Sequence, residues 1–255
     1  MEDFLVTDAA AIREKFLTTG CSKLDATLKG GIPCRGITQI YGAAGTGKTQ
    51  LALQLCLTVQ LPATAGGLEA GAIYISTETA FPSKRLQQLL DNSEITKTHS
   101  VTGDVIFVNH VATTDELELC LKNRVPLLMN VHKIRLLIVD SIAAPYRVED
   151  WKNQLQAKSK RDVGRQLHKL CKNNDLCIIS INQVSAVIDN HSLTSEAIDE
   201  QPALGFTWSS MVTSSIYFYK KDSLRYICIM LASHLPKITF QFEVTESGVR
   251  MIESS

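Results

Sequence analysis

An α/β fold is expected, with a mainly parallel central sheet, helices on both faces and an antiparallel C-terminal extension. Two features of the sequence predict it. Short, almost continuous apolar runs alternate with helical stretches up to about residue 181, and after about Leu204 four β-rich runs follow with only short connections. The first strand is expected over 37–41, followed by a glycine turn and a helix over 48–60. A strand over 72–76 precedes a helix that Pro82 opens and that runs through Leu90. A strand at 105–108 and a helix near 114–123 make the third unit. The runs 134–139 and 176–181 are almost uninterrupted apolar stretches, as expected of strands covered on both faces, and a helix near 159–172 separates them. In the tail, the runs 215–219, 224–231, 238–244 and 249–252 read as strands. Lys220-Lys221-Asp222-Ser223 and Glu246-Ser247-Gly248 supply hairpin chemistry, so the tail is expected to be antiparallel. The intervals 145–158 and 184–203 fit neither period and are expected to be functional loops. Without internal repeats or linkers, the chain divides into a short N-terminal segment, 1–17, and a single core domain, 18–255.

Composition narrows the function classes. The 255 residues carry 26 basic and 26 acidic side chains, a net charge of zero, which disfavours nucleic-acid binding by the whole surface but leaves room for a local patch. No run of 18 apolar residues exists, so no membrane partner is expected. Residues 1–10 carry Glu2, Asp3 and Asp8 and lack the regions of a signal peptide. The seven cysteines form no C-x-x-C pair, and the six histidines show no zinc-ligand spacing. An intracellular, reduced chain without a structural metal is expected.

Gly42-Ala43-Ala44-Gly45-Thr46-Gly47-Lys48-Thr49 matches the phosphate-loop pattern G-x-x-x-x-G-K-[ST], with a strand before it and a helix after it. Glycines let backbone N–H groups turn inward around phosphates, and the following helix directs its positive end to the same point. Lys48 can reach the β- and γ-phosphates, and Thr49 can place its hydroxyl on Mg²⁺. Leu136-Leu137-Ile138-Val139-Asp140 ends a buried strand in an acid, where a carboxylate can hold Mg²⁺. Glu78 follows another strand and could polarise a water for attack on the γ-phosphate. Asn182-Gln183, after a third strand, could sense the γ-phosphate or tie down a loop.

These elements, in this order, resemble the RecA-type strand-exchange recombinases of homologous recombination. Leu17-Thr18-Thr19-Gly20, Leu24-Asp25, Gly30-Gly31-Ile32-Pro33 and Gly36-Ile37-Thr38 precede the phosphate loop in that family's manner. Lys48-Thr49-Gln50-Leu51 continues it, and Ala203-Leu204-Gly205 with Trp208 follows the second loop. The likeness covers about 18–248. It implies a RecA-like P-loop ATPase core with ATP and Mg²⁺ as cofactors. Residues 42–50, Arg85 and Asp140 would bind the nucleotide, with Arg85 stacking on adenine and Thr49 and Asp140 on the metal. Glu78, Lys48 and Gln183 would carry catalysis, Gln183 as the γ-phosphate sensor. The loops after Ala144 and Val184 would face single-stranded DNA.

The resemblance further implies a recombinase paralogue that repairs double-strand breaks in the nucleus, with the cytoplasm as a second location, as a weak DNA-dependent ATPase. The alternative is a nucleotide-gated scaffold with little or no hydrolysis. Partners would be another paralogue in a heterodimer (the one designated C), the main recombinase filament, and single-stranded or branched DNA. Two departures favour specific assembly over self-filaments. Ser210 stands where active members place a γ-phosphate-sensing histidine, and Leu231-Ala232-Ser233-His234 lacks the family's cap aspartate. By resemblance, Phe4 within Phe4-Leu5-Val6-Thr7 would anchor a strand added to a neighbour's sheet; a frayed terminus is the alternative.

Charge divides the two loops. Residues 147–175 hold eight basic side chains against four acidic ones, among them the candidate DNA contacts Arg147, Lys158, Lys160 and Arg161, with Trp151 available for stacking. A solvated helix face is the competing reading. Residues 184–204 carry Asp189, Glu196, Asp199 and Glu200 and no Lys or Arg, so that loop should repel phosphate.

Overall fold

The computed structural model describes residues 14–148, 153–186 and 200–252. Strands β1 (Phe16–Leu17) and β2 (Ile32–Pro33) form a small antiparallel pair around helix α1 (Ser22–Thr27). Next come β3 (Ile37–Tyr41), α2 (Lys48–Thr58), β4 (Gly71–Ser76), α3 (Ser83–Asn92), α4 (Glu94–Thr98) and β5 (Ile106–His110). Helix α5 (Thr114–Leu119) runs through a π-turn, Cys120–Arg124, into α6 (Val125–Val131). The chain continues with β6 (Ile134–Asp140), α7 (Ala144–Val148), α8 (Asn153–Asn174), β7 (Cys177–Asn182), β8 (Val184–Ala186) and β9 (Glu200–Pro202). It closes with α9 (Gly205–Ser209), β10 (Ser214–Lys221), β11 (Leu224–Leu231), β12 (Ile238–Thr245) and β13 (Gly248–Met251).

Nine strands make one sheet in the order β13-β12-β11-β10-β3-β7-β6-β4-β5. Strands β3, β7, β6, β4 and β5 are mutually parallel, and β3, β4 and β7 are buried at every residue. Their unbroken apolar sequence follows from cover on both faces. One face packs on α2, whose Leu51, Leu55 and Ala52 meet Ile40, Tyr74, Ile138 and Phe218. The other packs on α5, the π-turn, α6 and α8, where Leu117, Leu121, Val125, Val163 and Leu167 meet Ile73, Leu137 and Ile178.

Several elements differ from expectation. The tail is antiparallel from β10 to β13, but β10 itself runs parallel to β3, with Ser214 opposite Thr38. The long connection through β8, β9 and α9 gives the chain room to return to the same end of the sheet. The helix expected near 114–123 continues to Val131, because Pro126 falls in the first turn of α6, where its missing N–H costs nothing. Helix α8 begins at Asn153, inside an interval read as loop, and α7 occupies the start of that interval. Leu17 is fully buried, so the packed unit includes residues before position 18. The hairpins form as read: Asp222 and Ser223 both adopt positive φ (50° and 67°) between the paired residues Lys221 and Leu224, as a type I′ turn requires.

Candidate nucleotide-binding site

Strand β3 delivers the chain to Gly42, whose φ of +149° lies outside the range of ordinary side chains. A Cβ there would sit 2.0 Å from the Phe218 carbonyl oxygen of β10, so glycine alone lets the loop pass under that strand. Gly47, with φ +116°, starts α2. The loop therefore ends with backbone N–H groups and a helix N-terminus converging on one concavity. Lys48 is 8% exposed, and its ammonium donates to the carbonyls of Gly42 and Ala43, each at 2.7 Å. Burial pulls its pKa down, while Asp140, Glu200 and Glu78 push it back up. An ammonium held only by carbonyls is poised for a stronger, anionic acceptor.

Asp140 ends β6 beside this loop. The Thr49 hydroxyl donates to its carboxylate at 2.9 Å, and the Tyr74 hydroxyl donates to the same oxygen. Burial pushes the Asp140 carboxyl up, and the Tyr74 and Thr49 bonds and the Lys48 charge hold it down. The two residues read as Mg²⁺ ligands thus touch each other, and a hydroxyl and a carboxylate are the hard oxygen donors that Mg²⁺ takes. Glu78, beyond the end of β4, accepts from Gln183 Nε2 at 2.6 Å and from Arg147 Nη2 at 3.1 Å. Glu78 and Arg147 are 45% and 50% exposed, so the ion pair itself adds little stability. Its interest is connectivity, because Arg147 closes α7 and Gln183 precedes β8.

Two cavities flank the loop. One, of about 500 Å³, is lined by residues including Ala43, Lys48, Thr49, Glu78, Asp140 and Gln183. The other, of about 430 Å³, is lined by residues including Gly45, Gly47, Gln50, Arg85, Arg225 and Glu246. Arg85 is fixed in its own plane: Nε donates to Gln50 Oε1 at 2.6 Å, Nη2 to Thr245 O at 2.6 Å and Nη1 to Glu246 O at 3.1 Å. With its edge so occupied, the guanidinium has its faces left for stacking.

The structure separates the candidate DNA contacts. Lys158 and Arg161 point to solvent, in one stripe of α8 with Arg165, Lys169 and Lys172. Lys160 turns inward, 5.5 Å from the Tyr146 ring centroid and 3.4 Å from the Leu204 carbonyl. Arg147 lies against Glu78. Glu200 accepts from the Tyr217 hydroxyl at 2.8 Å, and Asn182 Nδ2 of β7 donates to Ala203 O at 2.8 Å, so the C-terminal end of the second loop is tied to the sheet. Phe4, Trp151, Asp189, Glu196 and Asp199 lie outside the described residues. Sequence reasoning missed Tyr74 and Arg225, whose places depend on which strand end or hairpin register brings them to the loop.

Comparison with known proteins decides the family. A Rad51 family model matches residues 13–252. The chain belongs to the Rad51 family. It is 36% identical to bovine DNA repair protein XRCC3 over 92% of this chain and 74% of that protein. It is 29% identical to DNA repair protein rhp57 of Schizosaccharomyces pombe, over 94% and 80%. It is 31% identical to the DNA repair and recombination protein RadA of Aeropyrum pernix, over 92% and 73%. The nine-stranded sheet is accordingly a RecA-like core, and the chain is a recombinase paralogue of homologous-recombination DNA repair. Proteins of the Rad51 family bind ATP with Mg²⁺. No helix among the described residues is long and apolar enough to cross a membrane.

Proposed function

We propose that this chain binds ATP and Mg²⁺ at the phosphate loop, 42–49, and hydrolyses ATP slowly, in the nucleus, as one half of a heterodimer with another recombinase paralogue. The observation that carries the reading is that Lys48, Thr49, Asp140, Glu78 and Gln183 line one cavity. Thr49 and Asp140 would hold the metal, which supplies charge neutralisation at the phosphates. Lys48 exchanges its loop carbonyls for phosphate oxygens. The backbone N–H groups of the loop orient the phosphates, and the Arg85 face stacks on the base. Glu78 accepts a proton from the attacking water, and Gln183, hydrogen-bonded to Glu78, connects that carboxylate to the second loop. The outward cations of α8 supply contacts to single-stranded or branched DNA, and the assembled complex serves the main recombinase filament.

Phosphate release by the co-purified heterodimer, with and without DNA, tests this reading. Glu78→Gln is expected to keep ATP binding and to lower turnover by about 10²-fold or more, since an amide cannot accept the proton. If the parent heterodimer releases no phosphate with DNA present, the hydrolytic reading fails. A nucleotide-gated scaffold with little or no hydrolysis then remains.

A further inference from the structure

The hairpin of β10 and β11 brings two cations to the phosphate loop from outside the phosphate-loop motif. Lys220 and Arg225 are direct cross-strand partners, and Phe242 is the partner of Arg225 on β12. Residues directly opposite across strands project to the same face. That face is fixed by Phe242, whose ring lies 3.2 Å from where a Cβ on Gly47 would stand. Lys220 agrees, with its Nζ 3.7 Å from the corresponding point on Gly45. Arg225 lines the cavity that Gly45, Gly47, Thr49 and Gln50 share with Arg85.

Two like charges directly opposite each other destabilise a sheet. Among the described residues, neither Lys220 nor Arg225 has a carboxylate within ion-pair distance. Arg225 Nε is buried and without a hydrogen-bond partner. Glu246, the one carboxylate among the residues lining the cavity, is the charge felt by Arg85. An unpaired cationic pair with a buried orphan donor, at the mouth of a phosphate loop, is arranged for an anion.

We propose that Arg225, assisted by Lys220, binds the α-phosphate of the nucleotide. The assignment rests on the nucleotide reading above and adds a ligand to it. The γ-phosphate end is fixed by Glu78, Asp140 and Gln183 in the other cavity, so the Arg225 side receives the α-phosphate, ribose and base. Of these only the α-phosphate is anionic, and a guanidinium can grip two of its oxygens at once. The hairpin would then close on the nucleotide as a second wall and relieve the Lys220–Arg225 repulsion only when the site is filled.

Calorimetric titration of parent and Arg225→Gln with ATP–Mg²⁺ and ADP–Mg²⁺, together with thermal unfolding without nucleotide, tests the assignment. Both nucleotides carry the α-phosphate, so Arg225→Gln should weaken both by the same factor, about ten- to a hundredfold. Without nucleotide the variant should unfold at the same temperature as the parent or higher, because a like-charge pair has been removed. A purely structural arginine would instead lower that temperature, and a variant that cannot fold counts as this outcome; either overturns the proposal. Unchanged affinities overturn it too, as does a loss confined to ATP, which would place Arg225 at the γ-phosphate. If the parent binds neither nucleotide, the nucleotide reading itself falls and takes this one with it, an outcome distinct from parent binding with an unaffected variant.

Discussion

Asp140 is a carboxylate that the fold raises from its ordinary pKa of 3.8, with burial as the largest cause. A carboxyl with a folded pKa above its unfolded value binds more protons when folded. The parent therefore loses stability as pH rises from about the unfolded value through the folded one, and the loss is constant above it. Asp140→Asn removes that titration. The stability difference, variant minus parent, should climb with pH across this acidic window and then level off, as urea unfolding at a series of pH values would show; a difference flat across the window contradicts the account. The same variant should lose the Mg²⁺ dependence of nucleotide binding. Gly42→Ala makes a steric demand of another kind, since its Cβ would meet a backbone carbonyl at 2.0 Å. It should cost roughly 1–3 kcal/mol in denaturant unfolding. Lys48, Thr49 and Asp140 were legible in the sequence because their chemistry fixes their spacing. Glu78 and Gln183 were legible as residues just past strand ends. Tyr74 and Arg225 were not, because a strand's pairing, not its local sequence, decides which side chain reaches the loop.

Helix α8 shows how an element divides its own charges. Lys158 and Arg161 sit three residues apart and share the outward stripe, while Lys160 is turned toward Tyr146 and Leu204. Burial lowers the Lys160 pKa. Lys158→Glu with Arg161→Glu should reduce affinity for single-stranded DNA and flatten its salt dependence, by roughly 0.7 in log–log slope for each phosphate no longer neutralised. Stability should change little, since both positions are exposed. Lys160→Glu should do the reverse, lowering the unfolding temperature because a carboxylate beside the Leu204 carbonyl and the Tyr146 face is repelled by both. An unchanged slope in the double variant would leave the stripe a solvated helix face. The parallel strands and the tail hairpins were readable to within a residue or two, because burial on two faces and turn chemistry are local signals. The N-terminal part of α8 was not, since its exposed end has no apolar period to read. The extension of α6 past Pro126 was hidden because proline usually marks a helix end, and here it marks a restart after the π-turn.

At the scale of the whole molecule, the sheet places the nucleotide cleft and the roots of both loops at one edge, joined through Glu78, Arg147 and Gln183. In the heterodimer proposed above, a second subunit would add to that arrangement. Phe4 lies outside the described residues, and its anchoring role comes from family resemblance; Phe4→Glu should weaken heterodimer pull-down while nucleotide binding by the chain stays unchanged. Pull-down that survives this charge would move the assembly surface elsewhere. The central claim, that the phosphate loop is a working nucleotide site, is tested most directly by thermal unfolding of the parent and Lys48→Ala, each with and without ATP and Mg²⁺. The parent should be stabilised, by about 2.7 kcal/mol at a hundredfold excess of ligand over Kd. Lys48→Ala should fold as the parent does and unfold at the same temperature whether or not nucleotide is present. Equal stabilisation of the two proteins, or none of either, would contradict it.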